Sequence, residues 1–242
     1  MKQIYTIFMM LALMVAALSF TACSSDDNDE EGGSEGGSEG SSYVDLGLPS
    51  GTLWATCNIG ASSPEDRGDF FAWGETKGYN SGKTRFAWST YKWCNGSYNS
   101  LTKYCNNGDW GYNGFTDYKT KLELEDDAAY VNWGPAWRMP SYEQFQELIG
   151  YTTYEFTTLN DIGGYKFTSK TNDKSIFLPT TGYRDDELTG WRGHYWSCTL
   201  SQYEPDCAWR LYFDRGFIKT NESDRRIGIC VRPVRVLDMS TK

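Results

Sequence analysis

Short β-prone segments, separated by glycine and other turn residues, recur through most of this 242-residue chain. β-branched and aromatic residues dominate each segment, which is typical of strands that pack one face on a core. The segments are TLWATC (52–57), FFAWG (70–74), GYKFTS (164–169), SIFLP (175–179), AWRLYF (208–213) and IGICVRPVR (227–235). All ten tryptophans also lie after residue 42. The pattern therefore predicts a β-rich, aromatic core.

Two helices are expected to interrupt the strands. The clearer one covers SYEQFQELI (141–149), whose first and fourth residues have the spacing of a capping box and whose apolar residues share one face. The second covers about 125–132, and Asp126 and Asp127 lie near its start. A carboxylate there is expected to cap the helix rather than to serve in a catalytic pair. The fold class is therefore α+β.

The stretch from residue 75 to residue 118 is rich in Gly, Asn, Tyr and Trp and has no clean periodicity. It is too long for an ordinary connection between strands, so we expect an insertion-like loop region. We expect a disulfide between Cys94 and Cys105 to hold it.

Six cysteines follow Cys23, and an even number fits an oxidising compartment. Spacing favours three disulfides, which are Cys94 with Cys105, Cys198 with Cys207 and, from the remainder, Cys57 with Cys230. Free buried thiols are the alternative, above all for the last pair. A zinc site is not expected, because the chain has one histidine and no CxxC motif.

Five phrases of the sequence, in order, resemble one family. They are YVDLGLPSGTLWATCNIGASSPEDRGDFFAWGET (43–76), LELEDDAAYVNWGPAWRMPSYEQFQELI (122–149), SIFLPTTGYR (175–184), HYWSCT (194–199) and IGICVRPVR (227–235). The family is the Fibrobacter succinogenes major paralogous domain of Bacteroides-like lipoproteins. The resemblance implies a C-type-lectin-like domain with two helices, twisted antiparallel strands, and pairing of the first and last strands. It implies no particular activity.

The first 22 residues have the features of a signal peptide, because Lys2 precedes an apolar run (8–18) that is short for a membrane span. The following cysteine, Cys23, ends a sequence, FTAC, that resembles a bacterial lipobox, in which the cysteine is acylated and becomes the mature N-terminus. We therefore expect a lipid anchor at Cys23. The alternative is an ordinary secretory signal, with Cys23 in a disulfide.

Residues 23–42 form an acidic Gly/Ser linker with seven acidic and no basic residues, a composition that cannot bury a core. The linker resembles the surface-export signal of Bacteroides-like lipoproteins, which implies an outer-membrane protein that faces the cell exterior. Residues 43–242 are expected to form a single domain with a net charge of −3. Without a basic excess, nucleic acid is not expected as a partner.

An enzyme is not expected, and no cofactor is implied. His194 is the only histidine, so no HExxH metalloprotease is encoded, and no partnered Ser or Cys is signalled. We predict that His194 packs within a strand. The formylglycine-generating enzymes, which share the implied scaffold, use a closely spaced cysteine pair, whereas Cys198 and Cys207 are farther apart. A degenerate enzyme on that scaffold stays an alternative.

The tripeptide Glu204-Pro205-Asp206 resembles the calcium-and-sugar motif of C-type lectins. A calcium ion needs six to eight oxygen ligands. The lectin motif is completed downstream by Trp-Asn-Asp, but here Trp209 is followed by Arg and Leu. We therefore expect a polar turn, with a metal site at Glu204 and Asp206 as the weaker alternative.

A ligand site is expected in the loops between about 181 and 206, on the side away from the helices. Trp191 and Tyr203 are predicted to be partly exposed and to contact a glycan or protein ligand, since large amphipathic rings supply contact area at low entropic cost. The charged neighbours expected to take part are Arg184, Asp185, Asp186 and Arg192. The expected function is thus non-catalytic ligand binding, with a structural or fimbria-like surface component as the alternative.

Overall fold

The computed structural model describes residues 42–235. The predicted signal peptide, Cys23 and nearly all of the linker lie outside the described residues. Strands, two α-helices and three single-turn 3-10 helices (Trp88–Thr90, Tyr112–Gly114 and Leu124–Asp126) make up the regular structure of these residues, which confirms the α+β class. The elements are β1 (Tyr43–Asp45), β2 (Leu53–Ala55), α1 (Ala128–Trp133), β3 (Trp137–Arg138), α2 (Tyr142–Tyr151), β4 (Thr152–Leu159), β5 (Ile162–Ser169), β6 (Ser175–Pro179), β7 (Tyr183–Arg184), β8 (Leu188–Thr189), β9 (Gly193–Leu200), β10 (Cys207–Asp214), β11 (Phe217–Asp224) and β12 (Val234–Arg235).

The strands form antiparallel sheets in the orders β1-β2-β12-β3, β4-β5-β6 and β9-β10-β11, and β7 and β8 form a hairpin. The last strand, β12, pairs with β2, where Val234 lies opposite Trp54, and β1 pairs with the other side of β2. The beginning and the end of the described domain therefore share one sheet, but it is the second strand that pairs with the last. Within residues 42–235, no helix has the length and apolar character needed to cross a bilayer.

Helix α2 begins as its sequence predicts. Ser141 is the N-cap and accepts a hydrogen bond from the backbone N–H of Gln144, while the Gln144 side chain accepts one from the backbone N–H of Ser141. These bonds satisfy donors that have no partner inside the helix. The apolar face then packs Phe145 against Trp54, with ring centroids 5.6 Å apart. α2 is thereby fixed to the sheet that holds the two ends of the domain.

Helix α1 is also capped as expected. The Asp127 carboxylate accepts hydrogen bonds from the backbone N–H groups of Ala129 and Tyr130, and also from Met139 just after β3. Asp126 instead lies against Lys103, with an N···O distance of 2.6 Å. Asp127 is thus the predicted cap, whereas Asp126 is a buried partner of Lys103 and does not cap the helix.

The six described cysteines are free, so the predicted disulfides are not formed in this structure. The Sγ of Cys94 donates to the Trp88 carbonyl at 3.0 Å, and the Sγ of Cys105 donates to the Asn107 carbonyl at 3.0 Å. Each thiol of this pair thus points into its own turn rather than toward the other. In the second pair, Cys198 lies on β9, whose register with β10 sets Ala208 opposite Leu200, so Cys207 lies beyond Leu200 and not opposite Cys198. Cys57 and Cys230, the third pair, are buried as separate thiols.

The region 75–118 contributes to the core instead of lying over it as a loop. Four of its apolar side chains are almost fully buried, namely Phe86, Tyr91, Leu101 and Tyr104. Hydrophobic burial supplies the stabilisation that the sequence interpretation assigned to a disulfide. The region is therefore an irregular but integral part of the domain.

Candidate ligand-binding site

Trp191 and Tyr203 are both exposed, as predicted, at 78% and 75% of their full accessible surface. Strand β9 separates them, with Trp191 two residues before its first residue and Tyr203 three residues after its last. β9 contains a bulge, and its end residues lie opposite Phe213 and Ala208 of β10, which are five residues apart. The ends of β9 are therefore roughly 17 Å apart at a rise of about 3.3 Å per residue. The two rings therefore do not form one site, which corrects the single site expected from the sequence.

The charged residues predicted to assist recognition lie at the Trp191 end of β9, where most of them already have partners. The ion pairs are Asp185 with Arg226, Asp186 with Arg85 at 3.8 Å, and Arg192 with Asp214 at 3.0 Å. The Arg184 guanidinium lies over the ring of Tyr79, 3.5 Å from its centroid. The guanidinium of Arg67 lies over the Trp191 ring, 5.7 Å from the ring centroid. These contacts hold the β7–β8 hairpin on the domain and leave Trp191 as its exposed ring.

At the other end of β9, a compact turn presents Tyr203. Ser201 follows the last residue of the strand, and its hydroxyl oxygen accepts hydrogen bonds from the backbone N–H groups of Tyr203 and Glu204, both at 3.0 Å. The same hydroxyl donates to the Glu222 carboxylate on β11. A serine that bonds the backbone two and three residues ahead stabilises a turn. Tyr203 is thus an exposed ring on a fixed backbone.

Tyr203 lies at a groove that also contains two half-buried rings. Tyr142, from the first turn of α2, and Trp209, from β10, pack together with their centroids 4.7 Å apart and their planes at 54°. The groove has a volume of about 440 Å³. Its remaining lining residues are Thr120, Lys121, Glu143, Thr199, Leu200 and Gln202. We call this the Tyr203 groove.

The polar groups of the Tyr203 groove surround the three rings. Lys121 and Glu143 form an ion pair on its lining, with an N···O distance of 3.6 Å. The Ser141 hydroxyl, together with Lys121, holds the pKa of Glu143 below its usual value, so Glu143 is a carboxylate at neutral pH. Aromatic faces beside a few charged, amide and hydroxyl groups suit a ligand that has both apolar faces and hydroxyl groups.

Glu204, Asp206 and Cys207 lie beside this groove, and each offers a ligand atom within 4.8 Å of the others. Burial raises the pKa of Asp206 to about 6, and burial also raises the pKa of the Cys207 thiol. A protonated thiol and two carboxylates do not supply the oxygen-rich shell that calcium requires. The carbonyl of Pro205 accepts a hydrogen bond from the buried Arg225 at 2.8 Å. The Glu204-Pro205-Asp206 turn thus serves as a structural contact.

His194 is buried, as the packing interpretation predicts. Its Nδ1 accepts a hydrogen bond from the Arg210 guanidinium at 2.7 Å, and its ring lies between those of Tyr183 and Tyr212. Burial first, and then the charge of Arg210, lowers the pKa of His194 to about 3. The imidazole is therefore neutral and engaged, and no Ser or Cys is bonded to it among the described residues.

A second groove, of about 450 Å³, crosses the sheet β4-β5-β6. Val44, Ile176 and Phe177 supply apolar lining, and Glu155 lies opposite Lys166 on adjacent strands. Phe177 is buried, so this groove offers no exposed aromatic face comparable to Tyr203. The Tyr203 groove is therefore the better candidate for a ligand with stacking faces.

Sequence reasoning identified Tyr203 but missed Tyr142 and assigned Trp209 no particular partner. The helical spacing places Tyr142 on the apolar face of the 141–149 helix together with core residues. The expectation that the site lies away from the helices is wrong for this groove, because Tyr142 of α2 lines it. The capping box carried the missing signal, since it places Tyr142 in the first turn, at the exposed end of α2. Tyr142 and Trp209 are 67 positions apart along the chain, and they meet only because β10 lies beside that end of α2.

One known family, described as "Domain of unknown function (DUF8237)", matches residues 149–234. The match runs from the last turn of α2 to β12 and covers less than half of the chain. It includes Tyr203 and Trp209 but not Tyr142. No curated protein matches the chain. No solved structure matches it either.

Proposed function

We propose that the chain is a surface-exposed outer-membrane lipoprotein whose domain, residues 43–242, binds a glycan without catalysing a reaction. The signal-peptide pattern and the FTAC sequence at Cys23 support the anchor. Multiple acyl chains on one cysteine hold a protein firmly to a membrane, since each buried methylene contributes about 0.8 kcal/mol. The acidic linker that follows supports display away from the lipid.

The observation that carries the binding function is the exposure of Tyr203 beside the Tyr142–Trp209 pair. A sugar ring has an apolar face that packs on an aromatic ring, and hydroxyl groups around its edge that need hydrogen-bonding partners. Glu143 and Lys121 stand where they can bond such hydroxyl groups. Tyr203 loses little conformational entropy when a ligand binds, because the Ser201 turn already fixes its backbone.

A C-type-lectin-like fold is part of this proposal. Sequence phrases spread over 43–236 support it, and so does the sheet in which β12 lies beside β2 near the beginning of the domain. The thiols support a non-catalytic role, because burial raises the pKa of Cys198 to about 12 and a reactive cysteine requires a lowered pKa.

The test is a glycan array probed with residues 43–242, followed by titration of any glycan captured. Tyr203→Ala is expected to weaken binding at least tenfold while thermal unfolding stays near that of the parent, because the ring is exposed. Trp191→Ala is the matched control, since it removes an equally exposed ring at the other end of β9. Equal loss of binding in both variants, or none in Tyr203→Ala, would reject the groove.

The anchor has its own test. Cys23→Ala should release the protein from membranes or stall its precursor, and a labelled fatty acid should no longer be incorporated. Retention of lipid label in Cys23→Ala would reject acylation at that residue. Glycan binding by residues 43–242 does not depend on this result, so the two parts of the proposal fail separately.

A further inference from the structure

Strand β4 (Thr152–Leu159) is a long, exposed edge. It pairs with β5 along its whole length and forms one border of the sheet β4-β5-β6. No other described segment makes a backbone hydrogen bond to residues 153–159. One row of backbone N–H and C=O groups along β4 therefore faces outward without a protein partner. Such a row can template the addition of another strand.

The turn between β4 and β5 determines which groups face outward. Asn160 and Asp161 both have positive φ, at 46° and 65°, as a two-residue type I′ turn requires. The residues that flank such a turn, Leu159 and Ile162, exchange hydrogen bonds, and this exchange recurs at every second residue. Residues 153, 155, 157 and 159 therefore bond to β5. Tyr154, Phe156 and Thr158 direct their backbone groups to the free edge.

A contact on the far side of β5 agrees with this alternation. The Gly163 carbonyl accepts a hydrogen bond from the Thr180 backbone N–H at 2.8 Å, just beyond β6. Odd-numbered residues of β5 thus face β6, and even-numbered residues face β4. The alternation observed on β5 therefore agrees with the assignment of Tyr154, Phe156 and Thr158 to the free edge of β4.

The composition of β4 contains none of the usual defences of an edge. Proline, lysine or an inward charge normally blocks the addition of a strand. β4 reads TTYEFTTL, with Glu155 as its only charge and no proline. The sheet β9-β10-β11 has two eight-residue edges. Its β9 edge is covered, because the backbone carbonyls of Thr120, Pro140 and Cys230 accept hydrogen bonds from it. Its β11 edge carries Lys219, and Thr220 receives a hydrogen bond from Gln146 of α2. Among the long described edges, β4 is the unprotected one.

We propose that two copies of this chain associate through antiparallel pairing of their β4 strands, with the twofold axis at Phe156. This register follows from the outward groups, because it sets Phe156 opposite Phe156 and Tyr154 opposite Thr158, all as hydrogen-bonded pairs. Three such pairs give about six backbone hydrogen bonds across the axis. Two three-stranded sheets would become one six-stranded sheet.

Charge and side-chain packing agree with this register. Glu155 lies opposite Thr157 of the second copy, so the single charge of β4 meets no like charge. A twofold axis at Glu155 would instead place two carboxylates together, which is unfavourable. On the opposite face, Phe156 and Tyr154 already pack on Tyr165, with centroids 5.4 Å and 6.0 Å away. The pairing continues this aromatic row from one copy into the next.

The first test removes an outward N–H. Thr158→Pro deletes a donor that β5 does not use, so the domain should stay folded. Thr158→Val keeps the donor and is the matched control. Sedimentation of residues 43–242 over a concentration series should show dimers for the parent and for Thr158→Val, and monomers for Thr158→Pro, with circular dichroism to check the fold. A monomeric parent at all concentrations overturns the proposal.

The second test determines which residues of the two β4 strands lie opposite each other, and it does not require the proline variant to fold. Thr157→Glu places a carboxylate opposite Glu155 of the second copy twice per dimer, whereas Thr157→Lys places an ammonium group there. We expect dimer dissociation constants about tenfold higher for Thr157→Glu and lower for Thr157→Lys than for the parent, and both shifts should shrink in 1 M salt. Equal affinities in the two variants, or dimers that Thr158→Pro leaves intact, would reject β4 pairing.

Discussion

His194 should make this domain sensitive to mild acid, although no catalytic step uses it. It is 3% exposed, and its Nδ1 lies 2.7 Å from a guanidinium nitrogen of Arg210. Since a guanidinium only donates, Nδ1 accepts and the ring proton resides on Nε2. Protonation would put a second positive charge against Arg210 inside the domain. Burial, followed by this repulsion, lowers the pKa of His194 to about 3.

The sign and size of the effect follow from proton linkage. The unfolded chain binds a proton at His194 below pH 6.5, whereas the folded domain does not bind it until about pH 3. The stabilisation is therefore complete above pH 6.5 and is lost as the pH falls toward 3. At pH 5, the loss is roughly 2 kcal/mol, because each pH unit below 6.5 costs about 1.4 kcal/mol.

The assay is urea unfolding of residues 43–242 at pH 7 and pH 5, with His194→Gln for comparison. Gln keeps an acceptor for Arg210 but does not titrate. We expect His194→Gln to be less stable at pH 7, because it loses contacts with Tyr183 and Tyr212, yet to lose about 2 kcal/mol less than the parent between pH 7 and pH 5. Other ionisable groups, such as Asp206, change equally in both proteins and cancel in this comparison.

A spectroscopic measurement provides the independent check. The chain has one histidine, so a single imidazole signal in an NMR titration belongs to His194. It should not shift between pH 7 and pH 4 in the folded domain. An imidazole that titrates near 6.5, or equal stability losses in the parent and in His194→Gln, would refute the reasoning.

Three further predictions concern stability and the thiols. Ser141→Ala should lower the free energy of unfolding by about 1 kcal/mol by removing the α2 cap, and Ser97→Ala, in an exposed turn, should have a smaller effect in the same urea titration. Asp206→Asn should stabilise the domain at pH 7 and lose that advantage toward pH 4. The pKa of Asp206 is raised in the folded domain, so the parent loses stability as the pH rises through about 6, whereas the asparagine variant does not. Urea unfolding curves at pH 7 and pH 4 test this. The six cysteines after Cys23 should react with a thiol reagent completely in denaturant and slowly in the native domain, and disulfide-linked peptides in a non-reducing map of the exported protein would contradict this.

Local sequence signals predicted local structure well where side chains bond to their own backbone. The 141–149 helix rests on a capping box, and the structure contains that box. Strands β4 and β11 were missed, because threonine and charged residues on edge strands weaken the apolar alternation that marks a strand. The segment 70–74, predicted as a strand, forms only an isolated bridge, between Phe71 and Ile229.

The candidate site was predictable only in part, for a geometric reason. The sequence identified exposed aromatic residues near both ends of β9 but could not show that one strand holds them apart. It also could not place Tyr142 against Trp209, because that contact depends on how α2 crosses the sheet β9-β10-β11. A contact of this kind between distant segments produces no periodic pattern of residues in the sequence of either segment.

Arg225 explains how the irregular region 75–118 stays ordered without a disulfide. Its side chain is fully buried, and its guanidinium donates to the carbonyls of Lys103 and Tyr104 and to the hydroxyl of Tyr91. A fourth bond reaches Pro205, and Trp73 lies beside the group at 5.0 Å.

These bonds use neutral acceptors, so the cost of burying the charge is offset by several charge-assisted hydrogen bonds and not by an ion pair. One side chain thereby connects the region 75–118 to the turn that leads into β10. Because that turn also presents Tyr203, loss of Arg225 would loosen both the core and the Tyr203 groove. A change at a buried residue could then resemble a binding defect, which is why each groove variant has to be compared with the parent in thermal unfolding as well as in glycan titration.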